Sequence, residues 1–124
     1  MEAVADFRTV GAVAPSSRYL TQAMLRSLPL KRARVVVEVG PGTGAMTQAL
    51  LNLIPSDATL LAFEINSRFS RYLRSNVSDP RLDVINASAL ALRQETRRRG
   101  YDRVDAVVSS LALSFIPDGR DAPS

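Results

Sequence analysis

Short apolar runs alternate with amphipathic segments along most of the chain. Each apolar run is nearly continuous, which is typical of a strand buried on both faces, and the predicted strands are residues 35–39, 58–64, 82–85 and 104–109. Helical spacing of the apolar positions between them predicts helices near residues 44–53, 67–76 and 89–98. Strands and helices that alternate in this way form right-handed crossovers, so the sequence predicts an α/β fold with one parallel sheet.

The segment before the first predicted strand divides into three parts. Residues 1–14 are small and apolar without a clear period, so we expect an N-terminal arm there. A helix is predicted over residues 15–28, between two prolines. A basic connector follows it: Lys31, Arg32 and Arg34. With a core over residues 33–117, the whole chain, residues 1–124, is predicted to be a single domain.

The composition excludes several classes of enzyme. At 124 residues and 46% apolar content, the chain has room for one modest core and no separate substrate domain. It has no cysteine and no histidine, which excludes disulfides, thiolate metal sites, zinc enzymes and histidine-based acid–base chemistry. Acidic residues interrupt the first apolar stretch and no basic leader precedes it, so the sequence predicts a cytoplasmic protein without a membrane span.

The charge balance leaves two interpretations open. The formal net charge is +4, and 15 of the 16 basic residues are arginine. This favours an anionic partner surface, either nucleic acid or lipid headgroups, but it also fits the solvated faces of an arginine-rich chain. The helix over 15–28 and its basic connector are a candidate membrane-surface segment, although such a helix also packs well on a sheet.

Three glycines lie directly after the first predicted strand: Gly40, Gly42 and Gly44. Glycines at the carboxyl end of a strand let the backbone turn sharply and let a ligand lie against N–H groups, while the following helix offers its positive end. Glu38 precedes the loop, and Glu64 closes the next apolar run, where a carboxylate can accept both hydroxyls of a ribose. The two glutamates together indicate an adenosine-containing ligand.

The same glycines admit other interpretations. Gly40, Gly42 and Ala45 satisfy G-x-G-x-x-A, so a nicotinamide-binding half-domain is an alternative. Glu38 argues against it, because dinucleotide folds do not call for an acidic residue there. A glycine loop that serves only as a turn is the third interpretation, and the strand and helix around the loop disfavour it.

Three longer segments narrow the choice between these interpretations. Residues 38–44, Glu-Val-Gly-Pro-Gly-Thr-Gly, resemble the first motif of class I S-adenosylmethionine-dependent methyltransferases. Residues 10–20 are similar to the opening of bacterial phospholipid N-methyltransferases and their rRNA adenine dimethylase-like relatives, and residues 105–111 are similar to the fourth motif of that family. The resemblance implies a Rossmann-like sheet in strand order 3-2-1-4 with flanking helices, shortened after the fourth strand relative to the family's seven-stranded fold.

The resemblance also implies the contacts with S-adenosylmethionine. Glu64 would hold the ribose hydroxyls, Ile65 would pack on the adenine, and Ser88 stands where the family has an aspartate beside the adenine amino group. The full set of implied cofactor contacts is Glu38, Gly40, Pro41, Gly42, Thr43, Gly44, Glu64, Ile65, Ser88, Ala89, Ser109 and Ser17. No catalytic residue and no metal ligand is predicted, because displacement at a sulfonium needs alignment and exclusion of water more than a general base.

The chain departs from the family in its fourth motif and in its length. Ser110 and Ala112 stand where a glycine and a proline are common. In the family's strand order the fourth strand is central, so here its second edge would be open, and an open apolar edge is an aggregation hazard. We therefore expect a homodimer in which a second copy covers that edge.

Three functions are compatible with these residues. The first is an S-adenosylmethionine-dependent methyltransferase that acts on a phospholipid amine, with peripheral contact to an anionic membrane. The second is a module that binds S-adenosylmethionine without turnover. The third is an RNA adenine N-methyltransferase, which the basic charge favours, but the Asn-Pro-Pro-Tyr type of fourth motif that positions a flipped base is missing. Nucleic acid therefore ranks behind the membrane as a partner.

Overall fold

The computed structural model describes residues 10–12, 23 and 25–110. Its strands are β1 (Val10–Ala12), β2 (Val35–Val39), β3 (Thr59–Phe63), β4 (Leu82–Ile85) and β5 (Ala106–Ser109). Its helices are α1 (Ala45–Leu53), α2 (Ser67–Asn76) and α3 (Leu92–Arg98), and a short 3-10 helix, Ala89–Ala91, runs directly into α3. The predicted core strands and the helices between them are therefore present. Nine of the fourteen ends coincide with the prediction, four differ by one or two residues, and α3 begins three residues later than predicted, after the 3-10 helix.

All neighbouring strands of the sheet are parallel, and their order is β1-β5-β2-β3-β4. The four strands predicted from the sequence thus lie in the order expected from the family resemblance, with β2 between β3 and β5. This order brings the carboxyl ends of β2, β3, β4 and β5 to one edge of the sheet. The glycine loop and Glu64 are therefore neighbours in space.

The strand β1 was not predicted, and it corrects one expectation. Val10–Ala12 lies within the segment interpreted as an N-terminal arm, and it pairs with Val107–Ser109 of β5. The second edge of β5 is consequently covered by the chain itself, so the premise of an open edge is wrong. The predicted homodimer stays a prediction. Of the helix predicted over residues 15–28, the described residues Ala23, Leu25 and Arg26 are helical, Ser27 and Leu28 form a turn and a bend after it, and residues 15–22 and 24 lie outside the described residues.

The sheet is buried on both faces, which explains its continuous apolar runs. Alternate residues of each strand point to opposite faces. One face packs against α1, and its buried residues include Val36, Leu60, Val108, Leu50 and Leu51. The other packs against α3 and the chain before β5, with Val37, Leu61, Phe63, Leu92 and Val104. Both faces are fixed by packing, so the strand ends that carry the glycine loop are held rigidly.

The side chain of Arg81 closes the carboxyl end of α1. Its guanidinium donates to the carbonyl oxygens of Leu51 at 2.8 Å, Ile54 at 3.1 Å and Pro55 at 3.2 Å. Asp79 forms a salt bridge with the same guanidinium. The hydrogen bonds between Asp79 and Arg81 lower the pKa of Asp79 and raise that of Arg81. Terminal helix carbonyls have no partner within their helix, so this arginine satisfies groups that would otherwise need water.

Candidate active site

The backbone of the glycine loop adopts conformations that side chains disfavour. Gly40, Gly42 and Gly44 have φ angles of 73°, 60° and 99°. A Cβ built on Gly44 would lie 2.7 Å from Leu73 Cδ2, so this glycine lets α1 and α2 approach closely. A Cβ built on Gly42 would meet no heavy atom within 4 Å, so the middle of the loop faces open space. The loop is therefore a cradle with room for a ligand against its backbone.

Glu64 joins this loop to the end of β3. Its side chain is largely buried, its Oε1 accepts a hydrogen bond from the Gly42 N–H at 2.8 Å, and its Oε2 accepts one from the Asn66 N–H at 2.9 Å. An ionised carboxylate has about four acceptor positions, so each oxygen can accept one further hydrogen bond. Glu64 is therefore preorganised beside the open cradle, as a group that binds ribose hydroxyls must be.

Glu38 lies beneath the loop and is fully buried. The Thr47 hydroxyl donates to Glu38 Oε1 at 2.6 Å, and the Ser110 hydroxyl donates to Oε2 at 3.1 Å. The pKa of Glu38 is raised to about 7, chiefly by burial; the two hydroxyl bonds oppose this rise, and the charge of Glu64 adds a smaller rise. The sequence singled out Glu38, but Thr47 and Ser110 were not identified as its partners.

The wall beside Glu64 is built from the loops that follow β3 and β4. Ile65 is 74% exposed and Leu90 is 95% exposed, although both are large apolar side chains. The Asn86 amide donates to the carbonyl oxygens of Glu64 at 2.9 Å and Ile65 at 3.2 Å, which ties the two loops together. Exposed apolar side chains at this edge offer contact area to a flat ring such as adenine. Leu90 and Asn86 were missed by sequence reasoning, because no motif marks them.

Ser88 occupies this wall but already has a backbone role. Its hydroxyl accepts a hydrogen bond from the Leu90 N–H at 3.1 Å, which caps the 3-10 helix that begins at Ala89. The hydroxyl proton remains to be donated, and Ser88 is half-buried. The geometry is compatible with a ligand contact through this hydroxyl.

The remaining predicted contacts lie at the ends of β2 and β5. Ser109 is buried and is the register partner of Val39. Pro41 is buried within the loop, and Thr43 is exposed on it. Ser17 lies outside the described residues. The structure therefore brings all the predicted cofactor contacts except Ser17 to one edge of the sheet.

A cavity of about 690 Å³ lies at the opposite edge. It is lined by residues that precede β2 and β5, among them Arg32, Arg34, Tyr101, Arg103 and Asp105. Asp105 accepts hydrogen bonds from the backbone N–H groups of Arg34 at 2.7 Å and Val35 at 3.0 Å, so its role is structural. Ligands of open parallel sheets bind at the carboxyl ends of the strands, and this cavity is at the amino ends. It is therefore separate from the candidate site.

Clusters of acidic side chains and long apolar helices would each indicate a further kind of site. Within the described ranges, no group of three or more acidic side chains is arranged to hold a metal ion. In the same part of the chain, no helix has both the length and the apolar character that crossing a membrane requires.

Comparison with known proteins agrees with the geometry of this edge. A model of the ribosomal RNA adenine dimethylase family matches residues 16–102. The chain belongs to this family. The resemblance to class I methyltransferases is therefore confirmed, and the matched range includes the glycine loop, Glu64 and the wall residues after β4.

One relative is similar to the chain in sequence, and two solved structures are similar to it in fold. It is 33% identical over 109 residues to an ornithine lipid N-methyltransferase of Singulisphaera acidiphila, an alignment that covers 87% of this chain and 57% of the relative. The chain thus spans little more than half the length of that protein. The crystal structure of the 23S rRNA methyltransferase ErmE superimposes with a TM-score of 0.53 at 28% identity, over 60% of this chain and 30% of ErmE.

An O-methyltransferase from Thermotoga maritima supports the fold alone. Its crystal structure superimposes with a TM-score of 0.55 at 18% identity, over 62% of this chain and 31% of that protein. Together with ErmE it shows that the sheet and helices described above have the Rossmann-like methyltransferase fold.

Proposed function

We propose that this chain is an S-adenosylmethionine-dependent methyltransferase whose acceptor is the amine of a lipid headgroup. The observation that carries the proposal is the open cradle formed by the glycine loop, in which the Gly42 N–H and the Glu64 carboxylate are already joined at 2.8 Å. A loop that served only as a turn would need neither a buried carboxylate at its side nor open space above Gly42.

The residues of the cradle fit an adenosine-containing ligand in distinct ways. Glu64 accepts the ribose hydroxyls on the free lone pairs of its two oxygens. Ile65 and Leu90 pack on the adenine, and the backbone of the loop lies against the ligand where Gly42 has no Cβ. When bound, S-adenosylmethionine supplies an activated methyl group on a sulfonium sulfur. The chain contributes orientation and exclusion of water, which supply most of the acceleration of such a displacement.

The lipid amine is favoured over other acceptors by two observations. The relative named an ornithine lipid N-methyltransferase aligns with 87% of this chain. β5 ends at Ser109 and is followed by Ser110, without the Asn-Pro-Pro-Tyr type of sequence that positions a flipped base. RNA adenine remains the second candidate acceptor, because the family model is that of ribosomal RNA adenine dimethylases and ErmE is an rRNA methyltransferase.

A lipid acceptor requires contact with a membrane surface, and α2 is the best placed element for it. Arg68 and Arg71 are exposed on this helix, Phe69 is 41% exposed, and Tyr72 is 48% exposed. No acidic residue occurs in α2, so its charge is complementary to anionic lipid. The helix begins directly after the cradle, whereas the basic connector predicted as a membrane contact lies at the opposite edge. A protein without cysteine needs no oxidising compartment, so we place it at the cytoplasmic membrane surface.

Two measurements test the proposal: calorimetry of cofactor binding, and transfer of a labelled methyl group to lipid or RNA. We expect the chain to bind S-adenosylmethionine in preference to NAD, and to label aminolipid vesicles rather than RNA. Glu64→Ala should weaken cofactor binding by about 10- to 100-fold, because it removes two charge-assisted hydrogen bonds to the ribose. Asp57→Ala, which removes an exposed carboxylate that pairs with Arg34 far from the cradle, is the matched control and should leave the affinity unchanged.

The outcomes separate the alternatives. Unchanged affinity in Glu64→Ala, or preferential binding of NAD, contradicts the cofactor assignment. Labelled RNA with unlabelled lipid assigns the chain to the RNA methylases. Tight binding of S-adenosylmethionine with no labelled product in either assay leaves a binding module without turnover.

A further inference from the structure

Glu38 and Ser110 form a contact between the buried interior and the edge of the cradle. Ser110 is the first residue after β5, its backbone N–H donates to the Val39 carbonyl at 2.9 Å, and its hydroxyl donates to Glu38 Oε2 at 3.1 Å. Glu38 is fully buried, whereas Ser110 is half-buried. The serine hydroxyl is therefore the more accessible end of this contact.

We propose that Ser110 and Glu38 form a proton relay that deprotonates the acceptor amine; the inference rests on the proposed transfer to a lipid amine. The N–H bond of the ammonium group breaks as its proton passes to Ser110 Oγ, while the proton of Ser110 passes to Glu38 Oε2. The lone pair left on nitrogen would then accept the methyl group that S-adenosylmethionine, held by the glycine loop and Glu64, would supply, and the electron pair of the broken C–S bond would stay on sulfur. Glu38 then returns its proton to water by the reverse path.

The environment of Glu38 suits a proton acceptor at neutral pH. Burial raises its pKa to about 7, close to the operating pH, which is where a general base is most effective. The charge of Glu64, on the neighbouring strand end, acts in the same direction. The segments α1 and β5, which position the two hydroxyl donors, contain no charged residue. Among the described residues, Glu64 is therefore the charged group that acts on Glu38.

The other acidic group of the site is less suited to this role. Both oxygens of Glu64 already accept backbone N–H groups, and the proposed ribose contact takes its remaining lone pairs. The chain has no histidine that could replace it. Glu38, reached through Ser110, is therefore the group at this edge that combines a raised pKa with a donor hydroxyl in direct contact.

A relay and a structural contact predict different pH profiles. If the Glu38–Ser110 contact only holds β5 in place, its loss lowers the rate by the same factor at every pH. If it carries a proton, its loss matters below the pKa of the acceptor amine and disappears above it, where the amine is already neutral.

The test compares methyl transfer to aminolipid vesicles across this pH range in the wild type and four variants. Glu38→Gln and Ser110→Ala should each lower the rate by about 100-fold near neutral pH, as expected for loss of acid–base catalysis, and by less than about threefold above the pKa of the amine. Ser110→Thr keeps the hydroxyl and should restore the wild-type profile. Thr47→Val removes the other hydroxyl donor but leaves the path through Ser110 intact, so it should keep the relay with a pH profile shifted to higher pH, because the Thr47 bond also lowers the pKa of Glu38.

A second readout uses the cofactor-free protein. Carbon-13 NMR of the labelled Glu38 carboxyl group should give a higher pKa in Ser110→Ala than in the wild type, because the lost hydrogen bond favoured the charged form. Ser110→Thr should give the wild-type value. An unchanged pKa in Ser110→Ala shows that the contact is absent in solution and overturns the relay.

The remaining outcomes are also decisive. A rate loss in Glu38→Gln that is equal at all pH values overturns the relay and leaves the proposed function intact. A wild type that binds S-adenosylmethionine but methylates no amine refutes the proposed function and the relay with it. Calorimetry of each variant with S-adenosylmethionine identifies any variant whose rate loss comes from lost binding.

Discussion

Two glycines of the same loop differ in what a methyl group would meet, and this difference can be measured. Gly44→Ala places a Cβ 2.7 Å from Leu73 Cδ2 in a backbone with φ of 99°, so strain and overpacking combine. We expect a loss of about 2–4 kcal/mol in the free energy of unfolding. Gly42→Ala meets open space and should cost only about 1 kcal/mol, which comes from its positive φ alone. Urea denaturation measures both.

Gly100 supplies the control for this comparison. It also has a positive φ, 87°, and a Cβ built on it would meet nothing within 4 Å, but it lies after α3, away from the cradle. Gly100→Ala should therefore resemble Gly42→Ala in stability. The two should differ in binding, because only Gly42 lies against the proposed ligand. If Gly44→Ala costs no more than Gly100→Ala, the close approach of α1 and α2 is not a constraint.

The buried carboxylate of Glu38 predicts how stability depends on pH. Its pKa is about 7 in the folded protein, compared with 4.5 for an exposed glutamate, so the folded state holds the proton more tightly. The resulting stabilisation is fully present below pH 4.5 and is lost as pH rises through about 7. Glu38→Gln, which stays neutral, should therefore be more stable than the wild type at pH 8 by up to about 3 kcal/mol.

Other carboxylates also change the stability with pH, so the effect of Glu38 is the difference in stability between the wild type and Glu38→Gln. The pKa values of Asp79 and Glu95 are lowered by their arginine partners, so both groups lose stabilisation as pH falls. These contributions cancel when the melting curves of the wild type and Glu38→Gln are subtracted at each pH. A difference that does not change between pH 4.5 and 8 contradicts the raised pKa.

At the scale of elements, α2 and the basic connector compete for the same proposed role. Both carry exposed basic side chains, but α2 begins beside the cradle and the connector precedes β2 at the opposite edge. We expect Arg68→Glu combined with Arg71→Glu to weaken sedimentation with anionic vesicles by about tenfold or more, since each basic residue near the surface contributes about 1 kcal/mol.

The matched control reverses the same amount of charge on the connector. Lys31→Glu combined with Arg32→Glu should leave vesicle binding largely unchanged. The opposite result, in which the connector variant loses binding and the α2 variant keeps it, would transfer the membrane contact to the other edge. Equal losses in both variants would indicate attraction by net charge without a defined surface.

The elements that the sequence predicted well are those whose burial leaves a continuous apolar run or a helical period. β2, β3, β4 and β5 are apolar on both faces, and Asn66 marks the start of α2 with a side chain that accepts from two backbone N–H groups. β1 has three residues, which is too short for any period to be recognised. Its pairing with β5 depends on residues almost a hundred positions later, so it could not be derived locally.

The residues of the site also fall into those that the sequence predicts and those that only the fold brings together. The glycine loop and Glu64 were predictable because their residue types and spacing follow from phosphate- and ribose-binding geometry. The partners of Glu38 were not, because Thr47 and Ser110 reach it from separate elements, and Ser110 is 72 positions away in the sequence. Leu90 was missed because an exposed leucine carries no signal until the fold places it in the segment after β4, where Asn86 is hydrogen-bonded to Glu64 and Ile65.

At the scale of the whole molecule, the question is what lies beyond β1. Within the described residues β1 is the last strand on its side of the sheet, and its three residues leave a short edge of unpaired backbone groups. Parallel sheets rarely end in bare edges without protection. We propose that a second copy meets this edge across a two-fold axis, so the homodimer involves β1 and the segments beside it instead of β5 directly.

Light scattering of the full chain and of a form that begins at residue 13 tests this arrangement. The full chain should scatter with twice the mass of one chain, and the mass should fall to one chain on dilution if the interface is small. The shortened form lacks β1 and leaves the backbone N–H and C=O groups of Val107–Ser109 in β5 unpaired on that side. It should therefore form larger, polydisperse assemblies. A full chain that remains monomeric at high concentration contradicts the dimer. A shortened form that stays monomeric and equally stable would show that β1 contributes little to covering β5.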